Sequence, residues 1–150
     1  MQTPSRQDMK QTTLLVALLL TCVGAQGAAD APAQNEAERI VGKWIWTKPD
    51  TKCVETQEYR ADGTLSVVSG EEKTTNTYVL APEATANGFH KLTVKTVKDS
   101  GGKDCFDSDK DGTGITVTHY VMIHPKGNKL MLCHEDSVDH CIGPYQRAKQ

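Results

Sequence analysis

Between Val41 and Arg147 the chain divides into eight short runs rich in β-branched, aromatic and alternating apolar residues. Turn signals separate them at the spacing of a sandwich or barrel. The runs are 41–47, 53–60, 64–69, 74–80, 89–98, 113–124, 129–133 and 142–147. Asp62-Gly63 marks the clearest tight reversal, and Gly70-Glu71-Glu72 and Pro125-Lys126-Gly127-Asn128 are similar breaks. Connections this short favour an up-and-down meander over a crossover topology, and closure of the sheet removes unpaired edges. The expected fold class is therefore all-β, an eight-stranded antiparallel up-and-down barrel over residues 36–150. Ahead of it, Asn35-Glu36-Ala37-Glu38-Arg39-Ile40 carries a capping Asn and early acidic residues, the signature of a single helical turn.

Period-2 alternation assigns faces to these runs. Trp44 and Trp46 share one face of the first strand, with Lys43 and Ile45 on the other, so an aromatic pair plugs the barrel near its start. In the sixth run Ile115, Val117, Val121 and Ile123 fall on one face, with His119 among them. Leu65 with Val67, Leu92 with Val94, and Leu130 with Leu132 supply further aliphatic pairs. With two Phe and four Tyr in the chain, aliphatic residues and Thr are expected to fill the interior, leaving a tight core or a modest cavity. Glu55, Glu58, Glu71 and Glu72 read as an exposed strand face and turn.

Residues 1–29 read as a signal peptide: Met9-Lys10, a Leu-rich run from Leu14 to Leu20, then small residues up to Ala29, with cleavage after Ala25, Gly27 or Ala28. The run is too short to span a bilayer. Residues 30–35 follow as a flexible leader. An alternative places a lipidated Cys22 after Leu19-Leu20-Thr21, in an outer-membrane lipoprotein, although Thr21 stands where Gly, Ala or Ser is usual. Cleavage removes two of the 17 basic and one of the 19 acidic residues, leaving a net charge of about −3. That balance argues against nucleic acid and against an anionic membrane surface. The retained Cys53, Cys105, Cys133 and Cys141 are an even set in a small exported chain, in the periplasm or secreted, and read as two disulfides. Three pairings are open; the short loop favours Cys133 with Cys141, and hence Cys53 with Cys105.

Together these features resemble the lipocalin or calycin superfamily. The resemblance rests on Gly42-Lys43-Trp44, similar to the family's Gly-x-Trp in the first strand, and on Arg147 in the last strand, similar to the basic residue that packs over that Trp. It implies that Gly42, Trp44 and Arg147 are structural and that the guanidinium lies on the indole at the closed end. It also implies a binding module rather than an enzyme, holding a small apolar molecule within the open end. Val117, His119 and Val121 are then the ligand-facing candidates. The alternative partner is a protein, engaged by an inhibitor, immunity or envelope-interaction module whose barrel is filled.

Two constellations suggest metal chemistry. Asp107, Asp109 and Asp111, with Gly112 next, have the spacing of a calcium loop, so a weak calcium site is an expectation. Against it, Thr118 replaces the bidentate Glu and a strand follows; the simpler reading is a solvated acidic loop. Cys133, His134, His140 and Cys141 offer four ligands on paper, but an oxidising compartment favours the disulfide. No other cofactor is expected. No Gly-x-Ser-x-Gly elbow, phosphate loop, dinucleotide fingerprint or His-Glu-x-x-His occurs, which argues against an enzyme.

Overall fold

The structure, a computed structural model, describes residues 35–149. A five-residue helix, α1 (Glu36–Ile40), precedes eight strands: β1 (Gly42–Thr47), β2 (Val54–Tyr59), β3 (Thr64–Ser69), β4 (Glu72–Ala84), β5 (His90–Asp99), β6 (Thr116–Ile123), β7 (Lys129–Cys133) and β8 (Cys141–Arg147). Each strand pairs antiparallel with the next, and β8 pairs with β1, so the sheet closes into an up-and-down barrel. No described helix is long and apolar enough to cross a membrane.

Local chemistry accounts for most of the boundaries. Asn35 Oδ1 accepts from the Ala37 N–H and caps α1. The β2–β3 reversal turns on Asp62, whose side chain accepts from both the N–H and the hydroxyl of Thr64. Strand β4 is longer than the expected 74–80 run. Its final segment carries Pro82 through a register irregularity between Leu80 and Ala84, where a missing N–H is tolerated. Strand β6 starts later than expected, because the Ile115 N–H is bonded to the Gly112 carbonyl in a turn.

The core occupies the lower barrel. Ile40, Trp44, Leu92, Leu130 and Tyr145 are fully buried there, joined by Tyr59, Leu65, Leu80, Val121 and Ile123. Tight interior packing makes such positions sensitive; Leu92→Ala or Leu130→Ala is worth about 2–5 kcal/mol.

Arg147 seals this end. Its guanidinium carbon lies 4.1 Å from the Trp44 ring centre. Its nitrogens donate to the carbonyls of Gly127 (2.6 Å), Val41 (2.7 Å) and Arg39, while Trp44 Nε1 donates to the Ile40 carbonyl (2.7 Å). One cation thus ties α1, β1 and the β6–β7 turn together. Gly42 belongs to the same device: its φ is +131°, and a Cβ there would sit 2.6 Å from Arg147 Nη1.

Disulfides join Cys53 to Cys105 and Cys133 to Cys141. They fit a location outside the reducing cytoplasm. The signal peptide, the leader and the Cys22 alternative lie outside the described residues.

Candidate functional site

Above the core the barrel interior holds a cavity of about 370 Å³, within the size range of small-ligand sites. Its apolar lining comes from Leu65, Val67, Leu92, Val94, Leu132 and Ile142. Polar groups stand beside them, which corrects the expectation of an aliphatic and Thr interior. Strand β2 is responsible: its inward positions are Glu55, Gln57 and Tyr59, all buried, while Val54 is 48% exposed on the outer face. Glu55 is therefore not part of an exposed acidic face; it is 8% exposed and points its carboxylate into the barrel.

A hydrogen-bond network converges on that carboxylate. The Tyr145 hydroxyl donates to Glu55 Oε1 (2.6 Å), Gln57 Nε2 donates to the same oxygen (2.8 Å), and the Ser69 hydroxyl donates to Oε2 (3.1 Å). Behind them the Tyr59 hydroxyl donates to Gln57 Oε1 (2.6 Å), and the Cys105 N–H donates to Ser69 Oγ (3.1 Å). Glu55 is the terminal acceptor. Burial and the nearby Glu55 charge push both the Tyr59 and Tyr145 hydroxyls above the ordinary phenol range, so they remain donors.

Three further carboxylates line the cavity: Glu72, Asp99 and Asp104. Both oxygens of Asp99 are used within the chain, accepting from the Gly101 and Gly112 N–H groups (2.8 Å each) and pinning the base of the β5–β6 loop. Asp104 Oδ1 accepts from the Phe106 and Ser108 N–H groups (2.8 Å each). Glu72 is half-buried, and burial first, then the like charges of Asp99 and Asp104, raise its pKa to about 7. The Cys53–Cys105 disulfide fastens the loop carrying Asp104 and Phe106 to the start of β2. Phe106 stacks on Trp46, ring centres 5.9 Å apart, and Lys48 lies 5.2 Å from its ring centre.

The sequence-based candidates divide. Val117 and His119 line the cavity, with Val117 40% exposed. Val121, 1% exposed, packs in the core and does not line it. The pleat gives inward orientation, whereas height along the barrel separates cavity from core. His119 lies 5.6 Å from His134, ring centre to ring centre, and burial first, then His134, lowers its pKa. Its Nδ1 is buried without a hydrogen-bond partner.

The acidic loop is arranged as a solvated surface segment. Asp107, Asp109 and Asp111 are exposed, and Asp111 Oδ1 accepts from the Thr113 N–H (2.8 Å). Among the described residues, no three His, Cys, Asp or Glu side chains converge as a metal centre would require. Cys133 and Cys141 are joined to each other, and His140 Nδ1 faces Glu135 at 3.6 Å on the surface. Sequence reasoning missed Glu55, Gln57, Ser69, Glu72, Asp99 and Asp104; burial alternates along β2, but Glu55 and Gln57 on its inward face are as polar as Thr56 and Glu58 on the outward one, so no polarity pattern marks them. Comparisons with protein-family models, curated proteins and solved structures found no match to this chain.

Proposed function

We propose that this is an exported, lipocalin-like binding protein that holds a small molecule with an apolar body in the upper half of its barrel. The observation that carries the reading is the cavity itself, with a wall of aliphatic side chains resting on a packed core. A filled barrel would have favoured the rival reading, a protein-binding module working through its loops. The Gly42, Trp44 and Arg147 arrangement supports kinship with the lipocalin architecture, and the two disulfides support a periplasmic or secreted location.

The test uses the neutral fluorescent dye prodan. Its emission is expected to shift to the blue and to saturate at one dye per protein. Thr74, half-buried in the cavity wall, provides the control: Thr74→Trp fills the space and abolishes the shift while the circular dichroism spectrum keeps its β-sheet form. Equal dye binding by the wild type and Thr74→Trp would refute the cavity as the site, as would no dye binding by folded wild-type protein.

A further inference from the structure

We propose that the ligand of this cavity is a small organic amine, bound as its ammonium ion with the nitrogen at Glu55 and its apolar part against Leu65, Leu92 and Leu132. The inference deepens the binding reading above and rests on it. Four carboxylates line the space: Glu55 from β2, Glu72 from β4, Asp99 from the end of β5, and Asp104 from the β5–β6 loop. No Lys or Arg is among the lining residues. His119, the one imidazole there, is held below its ordinary pKa and adds no positive charge at neutral pH.

Glu55 is the decisive group. It is more than nine-tenths buried, and among the described residues no cation lies within ion-pair distance of it. A carboxylate withdrawn from water without a counter-charge is unfavourable, and hydrogen bonds offset only part of that cost. Its two oxygens offer about four acceptor sites; the network fills three, two on Oε1 and one on Oε2. An ammonium group brings the missing charge and three donors. One donor suits the remaining acceptor position on Glu55 Oε2, which the chain fills once, from the Ser69 hydroxyl.

Other ligand classes fit less well. An anion would meet the like charges of Glu55, Asp99 and Asp104. A neutral apolar molecule would dry the cavity and leave Glu55 unpaired. An inorganic divalent cation needs converging ligands that the described residues do not form. An organic cation uses both halves of the lining, the carboxylates for its nitrogen and the aliphatic wall for its body.

The experiment is isothermal titration calorimetry of the purified protein at pH 8 with three probes of similar shape: 2-phenylethylamine, 2-phenylethanol and 3-phenylpropanoate. The amine is expected to bind about tenfold or more tightly than the alcohol, the ratio a charge-assisted hydrogen bond supplies, and the propanoate is expected not to bind. Glu55→Gln should bring the amine to the affinity of the alcohol while the circular dichroism spectrum keeps its β-sheet form. If Glu55→Gln fails to fold, Glu72→Gln at the mouth is expected to lower the amine preference in part. Wild-type protein that binds prodan but prefers the alcohol or the propanoate overturns the amine assignment and leaves the cavity reading standing. Wild-type protein that binds neither prodan nor any probe overturns both.

Discussion

Replacing Arg147 by Met isolates what the closed-end clamp contributes. Met keeps an unbranched apolar stem over Trp44 but removes the guanidinium, and with it three hydrogen bonds to the carbonyls of Gly127, Val41 and Arg39 and the cation–π contact at 4.1 Å. Arg147 is only part-buried, so water can reach the freed carbonyls. At about 1 kcal/mol for each bond and about 1 kcal/mol for the ring contact, the expected loss is about 4 kcal/mol, a large share of the stability of a domain this size. The corresponding fall in the thermal midpoint is about 16 °C. Arg147→Lys keeps a cation near the ring but cannot span three carbonyls, so its loss is expected at about half as much. Gly42→Ala supplies the cross-check: the backbone strain of its +131° φ remains in any background, but its Cβ would also lie 2.6 Å from Arg147 Nη1, and that added part of its cost should vanish in the Arg147→Met background. Urea unfolding followed by tryptophan fluorescence reads all four proteins of this double-mutant cycle. A loss below about 1 kcal/mol for Arg147→Met, or a Gly42→Ala cost independent of residue 147, would refute the reasoning.

Two further outcomes follow from the disulfides and the barrel mouth. The bridges close loops of 52 and 8 residues, and the chain-entropy relation makes them worth about 4 and about 2.5 kcal/mol. Denaturant midpoints should therefore rank Cys53→Ala/Cys105→Ala well below Cys133→Ala/Cys141→Ala; the reverse order would show that loop closure is not the governing quantity. Glu72 titrates near pH 7 in the folded protein against 4.5 ordinarily, so the folded state holds a proton that the unfolded chain has released. Stability due to this group is present below pH 4.5 and is lost as pH rises through about 7. Its partial exposure keeps the effect small. Glu72→Gln should flatten the pH 4.5–7.5 stability profile, and parallel profiles for the two proteins would contradict the raised pKa.

The strands were legible because each is short, alternating and bounded by turn chemistry, and because every strand pairs with its sequence neighbour. The Cys133–Cys141 bridge followed from loop length, and Cys53–Cys105 from elimination. The cavity was half legible. Val117 and His119 were reachable from the pleat of β6, but the same pattern also selected Val121, since alternation says which way a residue points and not where the packed core stops. Glu55 was misread for a different reason. Polar residues are stable inside only when partners meet them, and besides Gln57, two residues along, its partners are Tyr145, 90 residues away, and Ser69, 14 away. No local pattern records a partnership of that span. The late start of β6 was hidden similarly, because Asp99 draws Gly112 into the loop.

The seam between β1 and β8 has a kinetic consequence. Only Trp44 with Arg147 and Ile45 with Gln146 are in register there, against six pairs between β1 and β2, and the Arg147 contacts to Val41 and Arg39 span 106 and 108 residues. During synthesis each hairpin can form as soon as its second strand emerges. The ring cannot close until β8 has been made. Until then β1 is an open edge, free to pair with another chain, so truncation just before Arg147 would leave a curved, unclosed sheet whose characteristic failure is association with copies of itself.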